Sequence, residues 1–386
     1  MTQILAWGST YYLPAVLAVP IAASTGWSLG WVIGGLSLGL LAAGVVSPVV
    51  GRAIARRGGR PVLAVSAVLI ALGLLALGLA PSLPAYIGAW IVIGLGMGAG
   101  LYDPAFATLG RLYGEGGRSA ITALTLFGGF ASTVCWPLSA ALESHLGWRG
   151  ACLAYAGLQL AVSLPIYLFG LPREPLRMVA ATVAPLATVG KGWLRRPADG
   201  GLFLLIAGTV ALASAISTVL SVHLLTILQG KGLALGAAVA LGALVGPSQV
   251  AARALEMLVA RRHHPVWTNV VAVTLVAVGL VALSYGGPIL TLAIVLYGAG
   301  IGLESIARGT MPLAVFGPAG YPGIMGRIAM PNLMLQAAAP SIGASLLTFS
   351  GADGALAALV AAAVCNVALA FGLTLRLRSH QHYLGH

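Results

Sequence analysis

Residues 29–80 read LGWVIGGLSLGLLAAGVVSPVVGRAIARRGGRPVLAVSAVLIALGLLALGLA. Two apolar runs, each about long enough to cross a bilayer as a helix of roughly 20 residues, flank a loop that carries Arg52, Arg56, Arg57 and Arg60. Loops rich in arginine and lysine stay on the cytoplasmic side of a membrane. The rest of the chain repeats this pattern. Apolar stretches over 4–22, 29–50, 62–80, 84–110, 119–141, 150–170, 201–226, 232–258, 266–285, 288–315, 327–349 and 354–375 predict twelve transmembrane helices. Charged residues are 7% of the chain and the mean hydropathy is +0.99, a composition outside the range of soluble domains.

The net charge of +12 is a topology signal. With the first residue inside, the cytoplasmic loops and their flanking helix ends hold 18 of the 20 lysines and arginines, leaving only Arg149 and Lys231 outside. This predicts both termini in the cytoplasm, with anionic headgroups as counter-charge. It also excludes a nucleic-acid partner, because no soluble domain carries a basic face. No cleavable signal or organelle-targeting pattern is legible, so the first span reads as a retained helix in a cytoplasmic (inner) membrane. Cys135, Cys152 and Cys365 show neither disulfide nor metal spacing.

The interval 171–200, with four prolines and five basic residues, reads as a cytoplasmic linker between a first six-helix half, 1–170, and a second, 201–386. The halves show weak internal similarity, the pattern of transporters built from repeats. Gly98-Ala99-Gly100-Leu101-Tyr102 is laid on Gly300-Ile301-Gly302-Leu303-Glu304, and Pro48…Ala55-Arg56-Arg57 on Pro247…Ala260-Arg261-Arg262. Gly94/Gly98 and Gly298/Gly302 are small-xxx-small pairs, which let helix backbones approach closely in lipid.

Few polar residues lie inside the spans. An ionisable group there costs about 2.5–3.5 kcal/mol on insertion scales and normally faces the interior or an aqueous path. The candidates are Asp103, Arg253, Glu256, Glu304 and Arg308. Glu304 and Arg308 are four residues apart, share a face, and are expected to form an ion pair. That pair is either part of a substrate or proton site, or a structural tie at the cytoplasmic end. Asp103 precedes Pro104, where a helix break is expected; it either carries a proton or pairs with an arginine. Arg253 and Glu256, three apart, are placed to neutralise each other. Tyr11, Tyr12, Trp136, Asn332 and Gln336 are uncharged cavity candidates, while Trp148 is assigned to the outer interface. His223 reads as an interfacial histidine, and His263, His264, His380, His382 and His386 as solvated. No phosphate-binding loop or catalytic constellation is present. The reading is a protein that is not an enzyme, uses no cofactor, and draws energy from a proton or counter-solute gradient.

The loop Gly51-Arg52-Ala53-Ile54-Ala55-Arg56-Arg57-Gly58-Gly59-Arg60 resembles the cytoplasmic loop motif of the major facilitator superfamily, with Gly51, Arg56, Gly58 and Arg60 at matching positions and Ala55 where the family has an aspartate. Trp90 stands where the family often has an arginine on the fourth helix. Gly26-Trp27-Ser28, Gly147-Trp148-Arg149, Tyr102 and Pro104, Arg111-Leu112-Tyr113 and Arg118-Ser119-Ala120 resemble the monocarboxylate-porter and oxalate/formate-antiporter-like branch. That branch often has an acid and an arginine four apart on its eighth helix; here they are Gln249 and Arg253. The resemblance implies an all-α membrane protein of the major-facilitator fold, with twelve helices in two pseudo-symmetric six-helix bundles, acting as a monomer. It implies a secondary transporter of a small organic anion, proton-linked. Tyr12, Trp136, Gln249, Arg253, Arg308, Asn332 and Gln336 are then the expected solute contacts, and Asp103 and Glu304 the expected proton acceptors. Export of a toxic compound, such as a drug or metalloid, is the alternative within transport, and a non-transporting membrane sensor the alternative outside it.

Overall fold

The structure is a computed structural model that describes residues 1–172 and 200–384. The expected linker, with Arg173, Arg177, Lys191, Arg195 and Arg196, lies almost wholly outside the described residues, as do the side chains of His380, His382 and His386. Among the described residues there is no strand. Among the described residues, nine stretches are long and apolar enough to cross a membrane. Three glycines with left-handed φ, Gly147 (69°), Gly317 (70°) and Gly351 (66°), break two of those stretches. Divided there, the nine become twelve segments. These are α1 (Thr2–Thr25), α2 (Leu29–Arg57), α3 (Gly59–Gly78), α4 (Leu83–Tyr113), α5 (117–146), α6 (148–170), α7 (Gly200–Gly230), α8 (Leu235–Val259), α9 (Pro265–Tyr285), α10 (290–316), α11 (318–350) and α12 (352–384).

Among the boundaries that differ from the sequence reading, two lie at the seam between the halves. The expected loop after residue 50 is helical through Arg57, and the turn shrinks to Gly58 at φ 79°. Arginine is a good helix former, and polarity alone marks where a helix leaves the membrane rather than where it ends. Helix α11 begins at 318, not 327: Pro318 and Pro322 sit in its first turns, where a proline sacrifices no helical hydrogen bond or only one.

Helix α4 is a two-faced plate. A Cβ on Gly94 or Gly98 would strike Gly39 or Ala43 of α2, and one on Gly96 or Gly100 would strike Ile70 or Ser66 of α3. Helix α10 repeats this: Gly298 and Gly302 pack on Val245 and Gln249 of α8, and Gly300 on Val276 of α9. The pairs Gly94/Gly298, Gly96/Gly300, Gly98/Gly302 and Gly147/Gly351 all stand 204 positions apart. The sequence alignment of Gly98 with Gly300 is therefore two residues out of register. Glycine at every second position matches itself after a shift of two, and only the packing partners break the degeneracy.

Each half has its own apolar core, one around Leu17, Leu74, Trp90 and Tyr155, the other around Leu220, Ile227, Leu280 and Ile294. A third cluster joins the halves: Val50, Ile54, Phe106 and Ile121 meet Leu313, Tyr321 and Met325. It lies at the end of the bundle where α2 turns into α3 and α4 into α5, the end that carries Arg56, Arg57, Arg111 and Arg118. At this basic end glycines let the helices of the two halves approach closely. Gly51 of α2 rests on Pro322 and Gly326 of α11, Gly110 of α4 on Tyr321, and Gly309 of α10 on Phe106. Gly94→Val should lower the melting temperature in detergent by several degrees, since overpacking costs about 1–3 kcal/mol. Gly88→Val, where a Cβ meets nothing within 4 Å, should leave it unchanged.

Candidate functional site

The helices that meet between the halves are broken there. Helix α1 unwinds over Ser9–Tyr12, where Tyr12 N–H donates to the Trp7 carbonyl. Helix α4 breaks at Leu101 (ψ −158°), and Asp103 falls in the first turn of its continuation. A carboxylate there meets the positive end of the helix dipole. The expected break at Pro104 thus lies just before it, and Pro104 occupies the first turn.

Asp103 pairs with Arg308 across the halves. Arg308 Nε donates to Asp103 Oδ1 at 2.9 Å, and Nη2 donates to Oδ2. Both side chains are buried. Asn332 of α11 completes the cluster: with its amide turned so that both ends are satisfied, its oxygen accepts from Arg308 at 2.6 Å and its nitrogen donates to Ser214 Oγ. The expected Glu304–Arg308 pair is not formed. A fork of guanidinium donors matches a carboxylate bidentately, and Asp103 on the facing helix offers that geometry. Glu304 is left with Oε1 buried and without a hydrogen-bond partner. It faces into the second half, in a pocket with Ile216 of α7, Val273 and Val276 of α9, and Asn366 of α12.

Arg253 of α8 is 5% exposed and is held by neutral groups. Nε donates to Ser305 Oγ at 3.1 Å and to the Gly302 carbonyl at 3.3 Å. Nη2 donates to Gln249 Oε1 at 3.2 Å, and Nη1 crosses to the Thr125 carbonyl of α5 at 3.3 Å. The expected neutralisation by Glu256 does not occur. Glu256 points the other way, accepting from Thr268 at 2.8 Å and pairing with Arg118 of the first half at 3.4 Å. Among the described residues no carboxylate pairs with Arg253.

Aromatic rings line the first-half side. Trp7 packs on Tyr11, Tyr12 and Tyr102 at centroid distances of 5.3, 6.1 and 4.8 Å, and Tyr12 meets Trp136 of α5 at 6.3 Å. Trp136 is 48% exposed and lines a cavity of about 480 Å³ with Ala15, Val16, Ser132, Thr133, Pro137 and Ala140. The α5 face that brings Thr125 to Arg253 continues at helical spacing through Thr133, Trp136 and Ala140, so this cavity lies on the side of α5 that faces the second half. Between the halves, a cleft of about 10 Å³, room for roughly one water, lies among Tyr11, Tyr102, Asp103, Arg308, Leu333 and Gln336. At the basic end the halves are in contact.

The loop-motif residues stand at that end. Gly51 makes the α2–α11 contact, Gly58 makes the turn, Arg56 is exposed and Arg60 half-buried. At Ala55, where the motif has its acid, the backbone carbonyl accepts from Arg111 at 2.6 Å. The sequence reading missed the Arg118–Glu256 bridge, the Arg118 donation to the His263 carbonyl at 2.5 Å, and the Ser305 and Thr125 partners of Arg253. Helical spacing reveals only neighbours on one helix, and these ties join different ones. His264, in the turn before α9, is held below its ordinary range by burial, with Arg118 and His263 adding like charge; neutral, its Nδ1 accepts from Val266 N–H at 3.3 Å and caps α9. Trp148, beside the Gly147 turn, is buried in the protein: its indole donates to Ser24 near the end of α1 at 2.6 Å, under the Arg149 guanidinium.

Comparison with known proteins agrees with this architecture. Monocarboxylate transporter 11 of Homo sapiens is 29% identical over 299 residues, 72% of this chain and 59% of that protein. Its Mus musculus counterpart is 33% identical over 159 residues, 39% of this chain and 34% of that protein. The chain thus matches about a third to three fifths of these relatives' lengths. The human organic anion transporter MFSD10 superposes with a TM-score of 0.71 at 17% identity, over 96% of both chains. The transporter FucP in the outward conformation gives 0.74 at 11% identity, over 96% of this chain and 97% of its own. The family model "Major Facilitator Superfamily" matches residues 1–318. The chain is a multi-pass membrane protein, and it belongs to the major facilitator superfamily.

Proposed function

We propose that this protein carries a small organic anion, with one negative charge and an apolar body, across the cytoplasmic membrane by alternating access linked to a proton. The observation that supports this most directly is Arg253: a buried guanidinium beside the cleft that only neutral groups hold. A buried charge held by dipoles alone carries a desolvation penalty that an ionic partner offsets. Arg308 is already neutralised by Asp103, so the cleft has one positive charge to offer. The wider cavity is walled by Ala15, Val16, Trp136, Pro137 and Ala140, with hydroxyls only at Ser132 and Thr133, which suits an apolar body. The names of the relatives point the same way, to monocarboxylates and organic anions.

In this reading the basic end faces the cytoplasm, with both termini, and the state described is open to the outside. The halves 1–170 and 201–386, joined by the linker 171–200, rock as bodies within a monomer. Gln249 swings from Arg253 to admit the solute, Tyr12 and Trp136 bracket its body, and Asn332 and Gln336 guard the narrow floor. The apolar wall also favours a second reading, export of an apolar toxic compound.

In proteoliposomes with an imposed pH gradient, a monocarboxylate should accumulate and a dicarboxylate of similar size should not. A toxicant that moves in place of both would establish the exporter. Arg253→Gln should raise the KM for the acid about tenfold or more, since a hydrogen bond to a charged group contributes about 1.5–3 kcal/mol. Normal uptake by that variant would remove the anion-contact argument. Gly326→Leu, inserted against Ser47 and Gly51, should prevent closure of the basic end and abolish uptake while the solute still binds.

A further inference from the structure

Glu304 is the group that the arrangement above leaves unexplained. Its Oε1 is buried with no partner, in a pocket whose walls are Ala213, Ile216, Val273, Val276 and Ile301, with Asn366 the only other polar side chain. Asn366 Oδ1 is already taken by Thr209, which donates to it at 2.6 Å. Two oxygens are too few for a metal cation of the alkali or alkaline-earth type, which takes about six or more. One turn along the same face of α10 stands Arg308, whose charge, with those of Arg253 and Asp103, acts on Glu304. The neighbouring phenol is Tyr297, and α7, α9 and α12 bring no titratable group to this pocket.

Arg308 reaches Asp103 only because the halves meet at the basic end. Asp103 belongs to α4 and Arg308 to α10, so rocking the halves apart there separates them. Arg308 and Asn332 then remain together in the second half, and the guanidinium is left without a carboxylate. Glu304, at i−4, is within reach of it by helix geometry.

We infer that Glu304 is the second partner of Arg308, and that its carboxyl is the proton-binding site of the transport cycle. While the basic end is closed, Arg308 is paired with Asp103 and Glu304 carries a proton on its carboxyl, because an unpaired buried carboxylate is far costlier than a carboxylic acid. When the halves part, Asp103 faces the entering water, Arg308 turns to Glu304, and the O–H bond breaks. The proton leaves into that water, and the carboxylate stays behind as the new ionic partner. Glu304 thus binds a proton in one state and releases it in the other, from a pocket that is separate from the cleft.

This rests on the alternating-access reading, but its test needs no solute, so an uptake failure and a failure here are separable. Spin labels at Ser119→Cys and Ala319→Cys, exposed positions of the two halves at the basic end, would report the distance across it. The background is Cys365→Ala, since Cys135 and Cys152 are buried. In the otherwise native protein, raising the pH should increase the ratio of long to short distances by up to about tenfold per unit, the slope for release of one proton. Glu304→Gln should hold the short distance and flatten that slope. Asp103→Asn, which removes the first partner, should populate the long distance at a pH where the native protein shows the short one. A native slope retained in Glu304→Gln overturns the inference. Should that variant fail to fold, a short distance retained by Asp103→Asn overturns it equally.

Discussion

The carboxylate–guanidinium pair between Asp103 and Arg308 is the constraint on which the closed end depends. Each charge is buried in its own half, and each would be stranded without the other. Breaking such a pair by removing one member costs about 3–5 kcal/mol, although the intact pair adds little over an apolar contact of the same volume. Its value is therefore in specifying an arrangement. The two halves can meet in many ways through apolar contact, but only one alignment brings the α10 fork onto the carboxylate at the start of the second part of α4. Arg253 reaching Thr125, and Arg118 reaching Glu256 and the His263 carbonyl, repeat the same logic along α5 and α8.

Glycine makes that alignment reachable. Within a half, the two faces of α4 and of α10 lie directly on their neighbours' backbones, which fixes each plate against rotation. Lipid supplies no hydrophobic drive between helices, so close van der Waals contact has to hold them. Across the halves, Gly44 and Gly51 of α2 meet α11, and Gly110 and Gly309 receive Tyr321 and Phe106. Where Gly51 meets Gly326 the backbones lie face to face with no side chain between them, and such a surface parts at low steric cost. Rigidity inside each half and a smooth seam between them come from the same residue type at different positions.

Much of this was legible in the sequence. Hydropathy marked the helices, because the bilayer sets how long an apolar run must be to span it. The loop motif and the Gln249–Arg253 spacing pointed to the family before any packing was known. The pairing of charges was not legible. Spacing joined Glu304 to Arg308 and Arg253 to Glu256, since those pairs lie on one helix, whereas the fold turns Arg308 to α4 and Glu256 to α5. The rule that i and i+4 are neighbours is local, and a buried guanidinium takes the partner with the best bidentate geometry. Trp148 was assigned to the outer interface for its type and its place at a span end, and nothing in its neighbours announced Ser24 of α1 as the acceptor of its indole. The two-residue slip in the glycine register has the same root, in a pattern too regular to fix its own phase.

The charges around the cleft set how proton and solute would interact. With Glu304 protonated, the cluster of Asp103, Arg253, Arg308 and Glu304 carries one net positive charge, and an anion with a single charge brings it to zero. With Glu304 ionised, the cluster is neutral while empty, and the same anion makes it negative in a low-dielectric region, where each uncompensated charge is costly. The proton and the anion therefore favour each other. By linkage that preference is reciprocal: whatever factor protonation adds to the affinity for the anion, the anion adds to the affinity for the proton. Coupling of this kind needs no contact between the two ligands, only a shared field and one arginine with two possible partners. It also accounts for Gln249 in place of an acid. A carboxylate four residues before Arg253 would cancel the one positive charge that the cleft has to offer.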